Sequence, residues 1–139
     1  MKHTKILVDN MKINCIEISI SDEELGCQVT FSEKRSLGAK AAHMSVQEII
    51  NSSGKYLLIQ RSYPDYEDES DYIYFETHNE EYAGELSDYE MFLSKERFRL
   101  KLQNGEIEVL IKPTDKEYSE LKKVLSILTN KTGKLIIKD

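Results

Sequence analysis

The stretch Arg97 to Leu128, RFRLKLQNGEIEVLIKPTDKEYSELKKVLSIL, contains a strand, a turn, a second strand and a helix in immediate succession. Phe98, Leu100 and Leu102 recur at period two with Arg97, Arg99 and Lys101 between them, so one face of a strand is apolar and the other cationic. Gln103-Asn104-Gly105 is a hairpin signal, and Ile107 to Ile111 returns as the partner strand. Pro113 opens a helical pattern. Thr114 and Glu117 stand at capping-box spacing, where each side chain accepts from a backbone N–H that the helix start leaves unpaired. Tyr118, Leu121, Val124, Leu125 and Leu128 then keep the helical period. Asn130 to Gly133 ends the helix, and Leu135 to Ile137 reads as a last strand.

Upstream, the same reading finds more strands. Asp71 to Thr77 (DYIYFET) is aromatic and β-branched, which favours a strand in which either Tyr72 and Tyr74 or Ile73 and Phe75 line the core. Tyr56 to Ile59 (YLLI) is a short apolar run expected at the centre of a sheet, with Gln60-Arg61-Ser62 as its polar exit. Ile13 to Ile20 and Cys27 to Phe31 alternate at period two and predict a hairpin across a turn at Ser21 to Glu24. Leu86 to Leu93 and Lys5 to Val8 are further strand candidates. Ser45 and Glu48 form a second capping box, predicting a short helix from Val46 to Asn51. The expected fold is α+β: about eight strands in a mostly antiparallel, curved sheet, with a C-terminal amphipathic helix and one short helix. At 139 residues the chain fits a single domain spanning 1–139, large enough to bury a core without staples.

Charge is distributed unevenly. Pro64 to Glu90, PDYEDESDYIYFETHNEEYAGELSDYE, holds eleven Asp and Glu, five Tyr and no Lys or Arg. The rest of the chain carries fourteen acids against nineteen bases. The net charge of −6 therefore sits in one fifth of the sequence. Such a balance speaks against phosphate-backbone binding, which needs Lys and Arg, and suits a cationic partner. Apolar residues are 40% and charged residues 32%, as in globular domains. The start, MKHTKILVDN, lacks the apolar core of a secretory leader, and no run has the length of a membrane span. The cytoplasm is the expected compartment, and Cys15 and Cys27 are expected to be reduced there.

Motifs for catalysis or cofactors are sparse. GxGxxG, GxSxG, HExxH and the phosphate-cradling P-loop are absent. His78-Asn79-Glu80 spells part of a zinc-deaminase signature, but the downstream PCxxC that would hold the metal is missing. Solvated acids on a loop provide neither the desolvated acid nor the held carboxylate that acid–base catalysis needs, so no enzyme is expected and no cofactor. Asp65, Glu67, Glu69, Asp71, Ile73 and Glu76 fall on the six ligand positions of a calcium-loop register. Ser70 stands where that loop turns on Gly, and the flanking pattern is strand rather than helix. A small acidic calcium- or ligand-binding domain is the alternative reading. The cationic stripe Lys95, Arg97, Arg99 and Lys101 is either a solvated strand face, a partner for the protein's own acids, or a phosphate site.

The order of several segments resembles a known family. KYLLIQRSY (Lys55 to Tyr63) is followed by the acidic loop, DYIYFE, EYAGEL and MFLSKERFRLKL. This succession from Tyr56 to Leu128 is similar to the tenth family of immunity proteins of bacterial polymorphic-toxin systems. A longer basic loop and a short helix stand between Phe31 and Lys55, where that family has a shorter acidic connection. The resemblance implies a non-enzymatic antitoxin that binds one cognate toxin domain, possible basic nucleases included, and covers its active site. Acids would speed encounter and select the partner, and tyrosines would anchor it. The expected partner contacts are Tyr63, Asp65, Tyr66, Glu67, Asp68, Glu69, Asp71, Tyr72, Glu80, Glu81 and Tyr82.

Overall fold

Residues 10–23, 26–34, 45, 54–63, 72–103 and 105–138 are described by a computed structural model. Their strands are β1 (Met11–Asn14), β2 (Glu17–Glu23), β3 (Gly26–Ser32), β4 (Tyr56–Ser62), β5 (Tyr72–Thr77), β6 (Ala83–Glu85), β7 (Glu90–Leu93), β8 (Arg97–Leu102), β9 (Gly105–Leu110) and β10 (Lys134–Ile137), and the helix is α1 (Asp115–Thr129). The strands form two five-stranded sheets instead of one. Sheet A has the order β1-β9-β8-β7-β10, and sheet B has β2-β3-β4-β5-β6. All neighbours are antiparallel except β1 with β9 and β10 with β7. The α+β class, the antiparallel bias and the C-terminal helix match the sequence reading. The candidate strand Lys5 to Val8 and the candidate helix Val46 to Asn51 lie outside the described residues.

Alternation along each strand sets the layers. Val29 and Phe31 of β3, Leu57 and Ile59 of β4, and Ile73 and Phe75 of β5 are fully buried on the inner face of sheet B. Met91, Phe98, Leu100, Ile107 and Val109 are buried likewise on the inner face of sheet A. The two faces meet in one core, where Phe31 stacks on Phe98 with ring centroids 4.8 Å apart. Tyr118, Leu121, Val124, Leu125 and Leu128 of α1 enter the same core, as the helical period requires.

Two backbone features make the chain change sheets. Ile13 to Ile20 is not one strand. The Cys15 amide donates to the Leu110 carbonyl of sheet A (2.8 Å), and the next amide, of Ile16, donates to Ser32 of sheet B (2.7 Å). The sheet switch shifts the inward phase. Met11 and Ile13 point inward on odd numbers, Ile18 and Ile20 on even ones, and Ile16 between them is 58% exposed. The expected turn at Ser21 to Glu24 is also displaced, because β2 runs through to Glu23. Leu86 to Leu93 divides in the same way. The Leu86 amide still bonds Ile73 of sheet B, Asp88 adopts a left-handed φ of 49°, and only Glu90 onward is strand, in sheet A. Asp is among the few side chains that tolerate that conformation readily.

The helix ends are secured by different means. Thr114 Oγ1 accepts from the Glu117 amide (3.1 Å) and Glu117 Oε1 accepts from the Thr114 amide (2.9 Å), completing the capping box. The last turn of α1 holds no basic residue. Arg61 of β4 supplies the charge instead. Its Nη1 donates to the carbonyls of Ile127 (2.6 Å) and Asn130 (2.9 Å), and the residue is only 7% exposed. A guanidinium at the negative end of a helix satisfies orphan carbonyls and opposes the dipole. Arg61 is thus a core residue facing inward, not part of a polar exit from the strand.

Candidate functional site

The described part of the acidic segment runs along β5, β6 and the connections that flank them. Asn79 ties down the β5–β6 turn. Its side-chain oxygen accepts from the Glu81 amide (3.0 Å) and its carbonyl accepts from the Tyr82 amide (2.9 Å). The buried Thr77 hydroxyl sits 3.0 Å from the Asn79 carbonyl and 3.1 Å from the Tyr82 carbonyl, and accepts from the Asn79 amide. An Asx-type turn held in this way leaves Glu80 and Glu81 projecting into solvent. Glu85 and Asp88 are exposed too.

Among the described residues these carboxylates meet no cation. Arg97 Nε lies 2.9 Å from Glu108, Arg99 Nη2 lies 2.6 Å from Glu106, and Lys12 lies 3.9 Å from Glu108. Arg99 also lies over the Phe92 ring, 5.0 Å from its centroid, and its pKa is raised chiefly by the hydrogen bond to Glu106. The two arginines of the cationic stripe are therefore taken up by β9 on the outer face of sheet A. Among the described residues, no carboxylate between Glu76 and Glu90 makes an ion pair. Asp88 accepts from the Gln103 amide group at 3.1 Å, a neutral contact.

Glu76 has a different setting. Its Oε2 accepts from the Tyr56 hydroxyl (2.6 Å) and its Oε1 from the Tyr74 hydroxyl (3.3 Å). Burial, and then the adjacent carboxylate, push the Tyr56 phenol up to about 12 and move Tyr74 in the same direction. Both phenols therefore stay neutral donors at physiological pH. As the twelfth position of the calcium register, Glu76 would turn both oxygens to the metal; here each accepts from a tyrosine hydroxyl. Ile73, the ninth position, is buried in the core. His78 is exposed, and its Nδ1 accepts from the Tyr56 amide at 3.3 Å, beside the Tyr56 ring.

The expected contacts separate into four groups. Glu80 and Glu81 stand exposed on the turn. Tyr63 and Tyr82 are half-buried and pack against the core. The Tyr63 hydroxyl donates to Asp22 (2.9 Å), and burial raises its pKa, so part of this side chain is spent on the fold. Tyr72 opens β5 opposite Ser62. Asp65, Tyr66, Glu67, Asp68, Glu69 and Asp71 lie outside the described residues. The sequence reading missed Tyr56 and Tyr74 as surface tyrosines. The signal was present: once Ile73 and Phe75 line the core, Tyr74 and Glu76 must face the other way.

Two concavities lie elsewhere. A groove of about 950 Å³ at the β1–β2 corner is bordered by Cys15, Ile16, Lys112 and Glu117. Burial pushes the Cys15 thiol up to about 11, which makes it a protonated thiol and a poor nucleophile at neutral pH. A smaller one of about 310 Å³ adjoins Arg61, Tyr63 and Asn130 at the end of α1. Among the described residues, no helix is long and apolar enough to cross a membrane, and no group of His, Cys, Asp and Glu is arranged to hold a metal ion. Comparison with protein families, with curated proteins and with solved structures finds no match to this chain.

Proposed function

We propose that this chain is an immunity protein: it binds a cognate bacterial toxin domain in the cytoplasm and blocks its active site without chemistry of its own. The observation that carries the reading is the set of exposed carboxylates on β6 and its flanking turns, beside tyrosines, which make no ion pair among the described residues, while Arg97 and Arg99 are engaged on the opposite sheet. Unpaired acids attract a cationic partner from a distance and select it, and aromatic rings supply the desolvated contact that slows its release. The order of segments from Tyr56 to Leu128, which resembles the tenth immunity family, points the same way. A nuclease whose cleft is lined with Lys and Arg fits such a surface best.

Coexpression with the adjacent gene tests the proposal. The expected result is that the neighbour's product, or its C-terminal piece, arrests growth alone and is harmless when this chain is present. A harmless neighbour, or toxicity that persists with this chain folded and abundant, would overturn it.

A further inference from the structure

We infer that the docking surface is the whole outer face of sheet B, beyond the acidic segment, and that its occupant is a Lys- and Arg-bearing face of a protein. This deepens the immunity reading and rests on it for the partner's identity. The strand register assembles the face in cross-strand rows. One row runs Ser19, Thr30, Leu58, Glu76, Ala83, and the next runs Ser21, Gln28, Gln60, Tyr74, Glu85. Glu17, Ser32 and Tyr56 flank them on one side, and Glu23, Gly26 and Ser62 on the other. Four glutamates stand on these rows and their flanks, and no Lys or Arg does among the described residues of this face.

The other sheet shows that this is not simply how a solvated face of this protein looks. The outer face of sheet A mixes Lys12, Arg97 and Arg99 with Glu106 and Glu108, and these pair with each other. A mixed-sign face cancels its own field. A face of one sign projects its field outward and draws a cation-bearing surface toward it. The nine remaining polar side chains on the rows, seven of them Ser, Thr or Gln and two Tyr, lie at strand spacing of about 4.8 Å and offer both donors and acceptors without bulk. Leu58 and the rings of Tyr56 and Tyr74 provide apolar area amid them. Because both phenols donate to Glu76, that carboxylate is held in one orientation, with lone pairs left for an incoming guanidinium. A broad sheet face of this kind suits a protein surface better than a small cation, and its sign excludes nucleic acid.

Two measurements on the full chain test the inference. In the first, the isotope-labelled protein is titrated with a hexa-arginine peptide and followed by NMR. Amide shifts are expected to concentrate on Thr30, Gln60, Tyr74 and Glu85. Shifts centred on Glu106 and Glu108, or spread evenly over the surface, would overturn the assignment. This arm needs no toxin, so it judges the face even if coexpression refutes the immunity reading. In the second, the toxin domain neutralised in coexpression is bound to the Gln60→Lys/Glu85→Lys variant and to a control of equal added charge, Ser119→Lys/Glu120→Lys on the exposed side of α1. The sheet variant should lose at least about tenfold in affinity and the control less than about threefold. If the sheet variant does not fold by circular dichroism, Ser21→Lys on the exposed edge strand replaces it, with Ser119→Lys as its control of equal added charge. Equal losses in variant and control would show that only net charge matters and would sink the proposed face.

Discussion

Arg61 ties sheet B to the end of α1. It reaches from the middle of sheet B to the last carbonyls of α1, and no basic residue of the helix can substitute for it. Arg61→Met keeps the aliphatic stem but removes both charged hydrogen bonds. The expected cost is about 2 kcal/mol, read as a lower urea midpoint with an unchanged slope. Tyr56 gives a pH test. Its phenol ionises near 10 in the unfolded chain and at about 12 in the fold. A raised folded pKa means the contribution is complete below pH 10 and is lost as pH climbs from 10 toward 12. Stability should therefore fall across that window, and Tyr56→Phe should flatten the fall. An unchanged profile in the variant would assign the loss to other groups. Buried Arg61 could not be anticipated from QRS read alone, since Arg is mostly a surface residue. Only the alternation begun at Leu57 and Ile59 carries it inward.

Local grammar governs what could be read of the elements. The capping box, the stripe on α1 and the β8–β9 hairpin each depend on residues within one turn or a few positions of each other, and each is where the sequence placed it. Thr114→Ala removes one half of the box and should cost about 1 kcal/mol, measured by thermal unfolding, with helix content retained below the transition. The two sheet switches were not read because a change of sheet depends on the partner strand, which is far away in sequence. Even so, the slip from odd to even inward phase between Ile13 and Ile18 was a local trace of the first. Asp88 offered a weaker trace of the second, as a residue able to take a left-handed turn amid a strand-like run. The concentration of acid was legible by counting. The face it belongs to was not, because Ser19, Thr30, Leu58 and Glu76 become neighbours only through the registers of four strands.

At the scale of the whole molecule, charge among the described residues is sorted by sheet: the outer face of sheet A pairs acids with bases, and that of sheet B carries glutamates without Lys or Arg. Association with a cationic toxin domain should then weaken steeply with salt through the association rate, with dissociation changing little. Stopped-flow measurements between low and moderate ionic strength check this. A rate of association indifferent to salt would remove steering from the account.

The order of strands has one more consequence. Sheet B is a meander of consecutive strands, each pairing with the one just made, so it can assemble as the chain leaves the ribosome. Sheet A cannot. Its borders, β1 and β10, come from opposite ends of the described chain and join as parallel additions. Until β10 emerges, β7 keeps an unpaired border and the shared core stays open on that side. A newly made molecule thus gains its full structure only after translation has passed Ile137. Under the proposed immunity function, a cell would need a finished stock before the poison is produced.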